Sequence, residues 1–192
     1  MKIEKIETKL YGSLTKMEVM FFDKNDAIAW KKMFDAWMQL KNDLKNFKAR
    51  EPNIPEGISE IAYCLLSGSA RKISVANSSD SSSSFDTYNI KNQRAEQVKA
   101  CSVSSDLTSF GPDSKWDDLI FMDFYNDGNV DGTFSAYLIP SDLIYKSMVN
   151  KNSSFLEFQT AGKRPRLHIK ETIIQKLGIK PIAQNVRVWE NS

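Results

Sequence analysis

The sequence is poor in the side chains that bind zinc or form disulfides. It contains one histidine and two cysteines, Cys64 and Cys101, and both cysteines lie among apolar residues. We therefore expect two buried free thiols in a reducing compartment. Free thiols are favoured over a disulfide or a cysteine metal site, and a single histidine excludes a histidine-rich zinc site.

Long apolar runs are also missing. No stretch reaches the roughly 20 apolar residues that a membrane-spanning helix needs. Charged residues alternate through residues 1–7, where a signal peptide would carry an apolar segment. We expect a cytoplasmic protein without a membrane partner.

The chain has little excess of charge of either sign. It carries 26 basic and 24 acidic residues, a formal net charge of +2 at pH 7. Overall charge thus does not indicate a nucleic-acid binder, and any DNA surface must arise from local clustering. The length of 192 residues and the 41% hydrophobic content favour one domain spanning residues 1–192.

Hydrophobic periodicity predicts a mixed α/β fold. The predicted strands cover residues 2–11, 15–22, 85–88, 96–101, 119–125 and 133–139, and the predicted helices cover residues 25–49, 55–66, 140–148 and 171–177. Trp30, Phe34 and Trp37 form an aromatic stripe on the longest helix, which either packs on the core or also serves a homodimer interface. Lys41 falls on its solvated face, and the segment after Pro181 is expected to be peripheral.

The residues with chemical potential concentrate in a predicted β-hairpin at residues 84–101. Residues 89–93 are polar and turn-prone, and strand residues flank them on both sides. Gln97 and Lys99 share one face of the second strand because side chains alternate along a strand. The hairpin therefore brings Asp86 on the first strand close to both.

These three side chains suit the hydrolysis of a phosphodiester. Asp86 can hold Mg²⁺, which takes only one or two protein carboxylates, and the side-chain oxygen of Gln97 and the peptide carbonyl of Val98 offer further ligands. Lys99 could position or deprotonate the attacking water, or stabilise charge on the phosphorane. We expect one or two Mg²⁺ ions per active site and favour one, because few carboxylates are at hand.

The set Asp86…Gln97-Val98-Lys99 resembles the D…(D/E/Q)xK signature of the PD-(D/E)xK nucleases. Most of the chain is also similar to a family of small bacterial type II restriction endonucleases that cut the interrupted palindrome GCNGC. The segments that carry this similarity read S-S-F-D, Q-V-K-A-C-S-V, D-L-T-S-F-G-P, W-D-D-L and L-I-P-S-D-L-I-Y.

The resemblance implies a fold, an activity and partners. The fold is a restriction-endonuclease-like core, a central mixed β-sheet flanked by helices. The activity is Mg²⁺-dependent cleavage of double-stranded DNA at GCNGC by a homodimer, with each subunit cutting one strand. A cognate methyltransferase would protect the same site without needing to bind the nuclease.

Nucleases of this kind often place a glutamate from a helix beside the metal. Glu60 in the predicted helix 55–66 is our first choice for this role, and Glu56 is the second. The physical need is clear, because Gln97 is neutral and a metal held by Asp86 alone would lack compensating charge. The alternative is that Glu60 is a surface glutamate.

Basic and hydroxyl side chains predict the DNA contacts. The serine-rich segment 67–84 precedes Asp86 and is either a flexible linker or a loop that binds DNA. The segment 162–170 is the densest positive patch, and its residues either hold phosphates or read guanine. The expected DNA contacts are Arg71, Lys72, Asn77, Ser82, Ser83, Ser84, Ser102, Ser104, Lys163, Arg164, Arg166 and His168.

Three other functions remain open from the residues. A repair or junction nuclease could use the same core, and it would not cut plain duplex DNA at a specific sequence. A DNA-binding module without catalysis would behave the same after Asp86→Ala and Lys99→Ala. A structural α/β protein with an accidental D…QxK pattern would show no salt-sensitive DNA binding.

Overall fold

The computed structural model describes residues 1–76, 84–104 and 106–190. The strands in these residues are β1 Lys2–Leu10, β2 Ser13–Phe21, β3 Ala70–Val75, β4 Thr87–Asn89, β5 Arg94–Cys101, β6 Leu107–Ser109, β7 Asp118–Asp123, β8 Phe134–Pro140, β9 Arg166–His168 and β10 Ala183–Val186. The α-helices are α1 Lys24–Asn46, α2 Glu56–Ser67, α3 Ser141–Lys146 and α4 Phe155–Thr160, and a π-helical segment spans Lys170–Gln175.

Eight of the strands form one mixed sheet in the order β1-β2-β3-β4-β5-β7-β8-β10. Strands β5 and β7 run parallel, and the other neighbours in this sheet are antiparallel. Strands β6 and β9 form a separate antiparallel ribbon. A large mixed sheet flanked by helices is the architecture expected of a restriction-endonuclease-like core, so the predicted fold class is confirmed.

Apolar cores lie on both faces of the main sheet. One core holds the aromatic residues of α1 together with Val98, Ile120 and Phe134, and the other holds Leu119 and Ile144 with residues of α4 and β9. Every residue of β7 is buried because both of its faces are covered. This confirms the prediction that an apolar strand near residues 119–125 lies in the centre of the sheet.

Helix α1 begins and packs largely as its sequence predicts. Asp23 caps the helix in a capping box with Asp26, and Trp30, Phe34 and Trp37 are buried. None of the helices in the described parts of the chain is both long and apolar enough to cross a bilayer.

The predicted exposure of Lys41 to solvent is wrong. It is 7% exposed rather than solvated, and its ammonium donates a hydrogen bond to the carbonyl of Ser102 at 3.1 Å. The same ammonium lies 5.5 Å from the centroid of the Trp37 ring. A carbonyl and an aromatic face thus replace water around this charge, which permits the burial of lysine.

The segment after Pro181 is also not peripheral, contrary to expectation. Strand β10 pairs with β8, and the Trp189 ring stacks on Trp30 at a centroid distance of 5.4 Å. A Cβ atom at Gly132 would come within 2.3 Å of Trp189, so this close approach requires glycine. The aromatic stripe of α1 is therefore covered within the chain, which favours core packing, the first of the two alternatives.

Two strands lie where the sequence suggested loops. Strand β3 occupies part of the serine-rich segment and pairs with both β2 and β4. Strand β6 lies in the polar segment that follows Lys99, and it pairs with β9 nearly sixty residues later. Short strands of this kind are specified by their partners in the sheet rather than by local propensity.

Candidate active site

Asp86 lies where the β4–β5 hairpin stops pairing in a regular way. Its amide donates to the carbonyl of Glu96 at 2.9 Å, and its own carbonyl accepts from the amide of Lys72 at 2.9 Å. Its carboxylate accepts hydrogen bonds from the amide of Val98 at 2.8 Å and from the side-chain nitrogen of Gln97. The backbone contacts fix Asp86 between two strands. Its carboxylate accepts the hydrogen bond from Val98 that a backbone carbonyl would accept in a regular strand pair.

Lys99 follows two residues after Gln97 on the same face of β5. Its ammonium lies 4.0 Å from a carboxylate oxygen of Glu56 and 5.9 Å from the centroid of the Phe110 ring. Its positive charge also lowers the pKa of Asp86. The hairpin therefore brings Asp86, Gln97 and Lys99 together, as the alternation along the strand predicts.

Glu60 of α2 completes the charged group. It is buried, and one of its carboxylate oxygens accepts a hydrogen bond from Nε of Arg71 at 2.7 Å. Its negative charge raises the pKa of Asp86, which places the two carboxylates within electrostatic range. Glu56, one helical turn earlier, has an 85% exposed side chain and faces Lys99 instead. Of the two candidates, Glu60 is buried and Glu56 is exposed.

The environment of Asp86 opposes its ionisation. Burial raises its pKa from 3.8 to about 7, and the charge of Glu60 contributes in the same direction. The charge of Lys99 and the amide of Val98 act against this rise and only partly offset it. Asp86 and Glu60 are two carboxylates shielded from solvent, and a divalent cation bound between them would stabilise their ionised forms.

The oxygen donors of this site fit the chemistry of Mg²⁺. Within the described ranges no group of three or more histidine, cysteine or acidic residues could hold a metal. A cation here would have at most two carboxylates, Asp86 and Glu60, and Mg²⁺ commonly binds through one or two carboxylates and several waters. The peptide carbonyl of Val98 is a further oxygen. The Gln97 amide presents nitrogen to Asp86, and rotation about its last torsion would present oxygen instead.

Glu96 is an acidic neighbour that belongs to the scaffold. It is 1% exposed, and its two carboxylate oxygens accept hydrogen bonds from Tyr63 at 2.7 Å and from Thr87 at 2.9 Å. It points to the opposite side of β5 from Gln97, because side chains alternate along the strand. Glu96 therefore links α2 to β4 instead of entering the site.

A cavity of about 240 Å³ opens beside Lys99. On one side it is lined by the start of α2, including Glu56 and Ser59, and on the other by β6, including Thr108. The cavity thus gives a substrate access to the ammonium of Lys99. Ser102 is fully buried below it and uses its hydroxyl to hold Asn53 and Ile54, so we leave Ser102 out of the proposed DNA contacts.

The other predicted DNA contacts have varied surroundings. Lys163, Arg164, Arg166 and Ser104 are exposed. Ser84 accepts a hydrogen bond from the amide of Lys115 at 2.7 Å. The ammonium of Lys72 lies 4.8 Å from the Phe85 ring centroid, and Arg71 pairs with Glu60 as described. Asn77, Ser82 and Ser83 lie outside the described residues.

The sequence analysis missed a buried carboxylate that holds the β6–β9 ribbon. Asp106 is 6% exposed and accepts hydrogen bonds from Nδ1 of His168 at 3.2 Å and from the amide of Lys170 at 2.5 Å. Lys170 also pairs with the buried Asp123 through its ammonium. Asp106 stands in a polar segment, so no periodicity marks it as buried, and only the fold brings it to β9.

Two comparisons connect the chain to known proteins. The family model described as "Bsp6I restriction endonuclease" matches residues 22–176. The type II restriction enzyme Bsp6I of Bacillus sp. (strain RFL6) is 29% identical over 163 residues, which cover 80% of this chain and 83% of that enzyme. No solved structure matches the chain significantly. The family match includes the β4–β5 hairpin, helix α2 and the β6–β9 ribbon.

Proposed function

Because the chain belongs to the Bsp6I restriction endonuclease family and is therefore a nuclease that acts on DNA, we propose that it cuts both strands of a short palindromic site. The resemblance in the sequence makes GCNGC the proposed site and Mg²⁺ the proposed cofactor. The observation that carries the catalytic part is the carboxylate of Asp86 held against Gln97 and Val98, within electrostatic range of Glu60 and Lys99.

Each of these side chains has a role that its position supports. When bound, Mg²⁺ would polarise a phosphoryl oxygen and acidify water. Asp86 and Glu60 would hold the cation, with the carbonyl of Val98 as a neutral ligand. Gln97 would hold the Asp86 carboxylate in place and present its oxygen to the cation or to water. The ammonium of Lys99 would orient the attacking water and stabilise the negative charge that develops on the phosphate.

The raised pKa of Asp86 supports a role in binding a cation. A carboxyl group with a pKa near 7 is half protonated at neutral pH, and a divalent cation competes with that proton. Arg71 holds Glu60 through an ion pair between its Nε and one carboxylate oxygen of Glu60 at 2.7 Å.

The proposal also specifies partners. A palindromic site is matched by a two-fold protein, so the active enzyme is proposed to be a homodimer with one strand cut by each subunit. A methyltransferase that modifies the same site would protect the host DNA. We place the reaction in the cytoplasm, where both enzymes meet DNA. Family membership disfavours the non-catalytic and purely structural alternatives, and the relative's activity disfavours a junction nuclease.

Lys99→Ala is the direct test of the catalytic assignment. Incubation of plasmid DNA with the wild-type protein and Mg²⁺ should give discrete fragments whose mapped ends share one sequence, and EDTA should prevent them. The variant should cut at least about 100-fold more slowly because its transition state loses a charge-assisted contact, while binding of the same DNA persists.

The matched control is Lys32→Ala, which removes an exposed ammonium from α1. It should cut like the wild type. A Lys99→Ala protein that cuts at the wild-type rate would overturn the role of Lys99, and fragments with random ends would overturn the proposed specificity.

A further inference from the structure

The ribbon of β6 and β9 carries four side chains that the catalytic proposal does not use. In the register of this ribbon Leu107 lies opposite His168, and Ser109 lies opposite Arg166. Directly opposed residues project to the same side of a sheet, and so do residues two apart on one strand. Leu107, Ser109, Arg166 and His168 therefore share one face, which we call the ribbon face.

The ribbon face is largely open to solvent, and Leu167 on the other side is buried. Leu107 is 51% exposed, the side chain of His168 is 41% exposed, and Arg166 is exposed as well. Leu167, between Arg166 and His168, is 3% exposed and packs in the core. The ribbon face thus combines an apolar side chain with a guanidinium and an imidazole, so it can contact both polar and apolar groups of a partner.

The ribbon face lies next to the proposed catalytic centre. Leu107 and Ser109 line the same cavity as Lys99. Lys163 and Arg164 precede β9 and are exposed, so they add positive charge beside the ribbon. A DNA duplex whose phosphate reaches Lys99 would thus pass close to the ribbon face.

Hydrogen bonds at both ends of the short strands hold the ribbon in place. The buried carboxylate of Asp106 binds the ring of His168 and the amide of Lys170, which ties the chain before β6 to the end of β9. The amide of Phe110 also donates to the carbonyl of Pro165 at 3.0 Å, which extends the pairing by one step. These contacts give the ribbon face a fixed shape before any partner binds.

We propose that the ribbon face reads base edges in the major groove and determines which sequence the enzyme cuts. This inference rests on the proposed cleavage of DNA at a specific site. The major groove admits a two-stranded β-ribbon, and its edges present acceptors, donors and methyl groups. Arg166 reads guanine through O6 and N7, Ser109 and His168 form single hydrogen bonds, and Leu107 contacts an apolar base edge.

Arg166→Ala tests the proposal through specificity rather than through rate. Binding is measured with Ca²⁺ in place of Mg²⁺ on two short duplexes, one with the site that the wild type cuts in plasmid DNA and one with that site shuffled. The Kd for the shuffled duplex divided by the Kd for the site duplex measures specificity. This ratio should fall roughly 5- to 150-fold in the variant, because a bidentate base contact is lost. Mapped cleavage ends should include sites that differ at the contacted base.

Arg164→Ala is the matched control, since it removes the same charge two residues away and off the ribbon. As a phosphate contact it should weaken binding to both duplexes alike and reduce the salt dependence by about one ion. The ratio of the two Kd values should stay constant. An Arg166→Ala protein that keeps the wild-type ratio, or that behaves like Arg164→Ala, would overturn the base-reading role.

Duplexes with 7-deazaguanine supply a second measurement that does not depend on how well a variant folds. Replacing the guanine N7 acceptor should weaken DNA binding by the wild type and leave binding by Arg166→Ala unchanged, as a double-mutant cycle requires. Equal weakening of both proteins would overturn the assignment to Arg166. A wild-type protein that cuts no DNA with Mg²⁺ would overturn the proposed function itself. An active enzyme whose Arg166→Ala variant keeps the wild-type ratio of Kd values would overturn only the role of the ribbon face.

Discussion

The carboxyl group of Asp86 shows how position changes the chemistry of a single residue. Its pKa lies near 7 because burial and the charge of Glu60 disfavour the ionised form, although Lys99 and the amide of Val98 stabilise it. A site that binds a cation must keep its ligands close before the cation arrives, and this proximity costs stability. The strain is electrostatic and should be measurable in the metal-free protein.

We predict that Asp86 makes the metal-free protein less stable as the pH rises. Its pKa is higher in the folded chain, about 7, than the reference value of 3.8, so the folded state binds more protons between these values. The free energy of unfolding should therefore fall between pH 4 and pH 7, by at most about 4 kcal/mol for this group. Denaturant titrations in EDTA measure it.

Asp86→Asn and Asp86→Ala both remove the titrating group. The difference in unfolding free energy between each variant and the wild type should grow in favour of the variant across this pH range. Parallel pH profiles for the three proteins would contradict the raised pKa. Neither variant should cut DNA, because the proposed cation loses its main ligand.

Helix α1 shows that a periodic pattern can identify a buried face without identifying what covers it. The periodicity of Trp30, Phe34 and Trp37 identifies a buried face, and that part of the prediction is confirmed. The ring of Trp189 covers the stripe by stacking on Trp30 at 5.4 Å and lying 6.4 Å from Phe34. Part of the free energy that holds α1 on the sheet thus comes from a residue near the other end of the sequence.

We predict that Trp189→Ala destabilises the fold without a direct effect on the site. Removal of its stacking contacts should lower the free energy of unfolding by about 2–4 kcal/mol, less than for a fully buried tryptophan because Trp189 is only half-buried. Chemical denaturation measures the change. Ile182→Ala, at a 53% exposed position in the same segment, should stay within about 0.5 kcal/mol of the wild type. Equal stability of both variants would show that the segment is peripheral after all.

At the scale of the whole molecule, the main sheet decides where the functional groups meet. Strand β5 carries Gln97 and Lys99, pairs with β4 on one side and runs parallel to the buried β7 on the other. Helix α2 crosses the same strand and brings Glu60 to it. The net charge of +2 leaves local clusters to supply positive surface, and Lys163, Arg164 and Arg166 form one such exposed cluster beside and on β9.

We predict that two chains bind one duplex. A palindromic site presents the same half-site twice, so two active sites related by a two-fold axis can each reach one strand. Sedimentation of the protein with a duplex bearing the mapped site, with Ca²⁺ in place of Mg²⁺, should give a complex of two chains per duplex. A complex of one chain per duplex at saturating protein would contradict the homodimer, while leaving the catalytic assignment intact.

The sequence by itself determined the parts of this protein that depend on neighbours along the chain. The alternation around Gln97 and Lys99 predicted the hairpin and the face that these two residues share. The spacing of aromatic residues predicted α1, and the sequence motifs around Asp86 indicated the nuclease family. Local pattern suffices there because strand and helix geometry fix which side chains share a face.

Only the tertiary structure decided the parts that depend on distant segments. The burial of Lys41, the position of Trp189 over α1 and the pairing of β6 with β9 all join residues far apart in sequence. Local sequence carries no signal for such contacts, because their free energy comes from desolvation and packing that exist only after the chain has closed on itself.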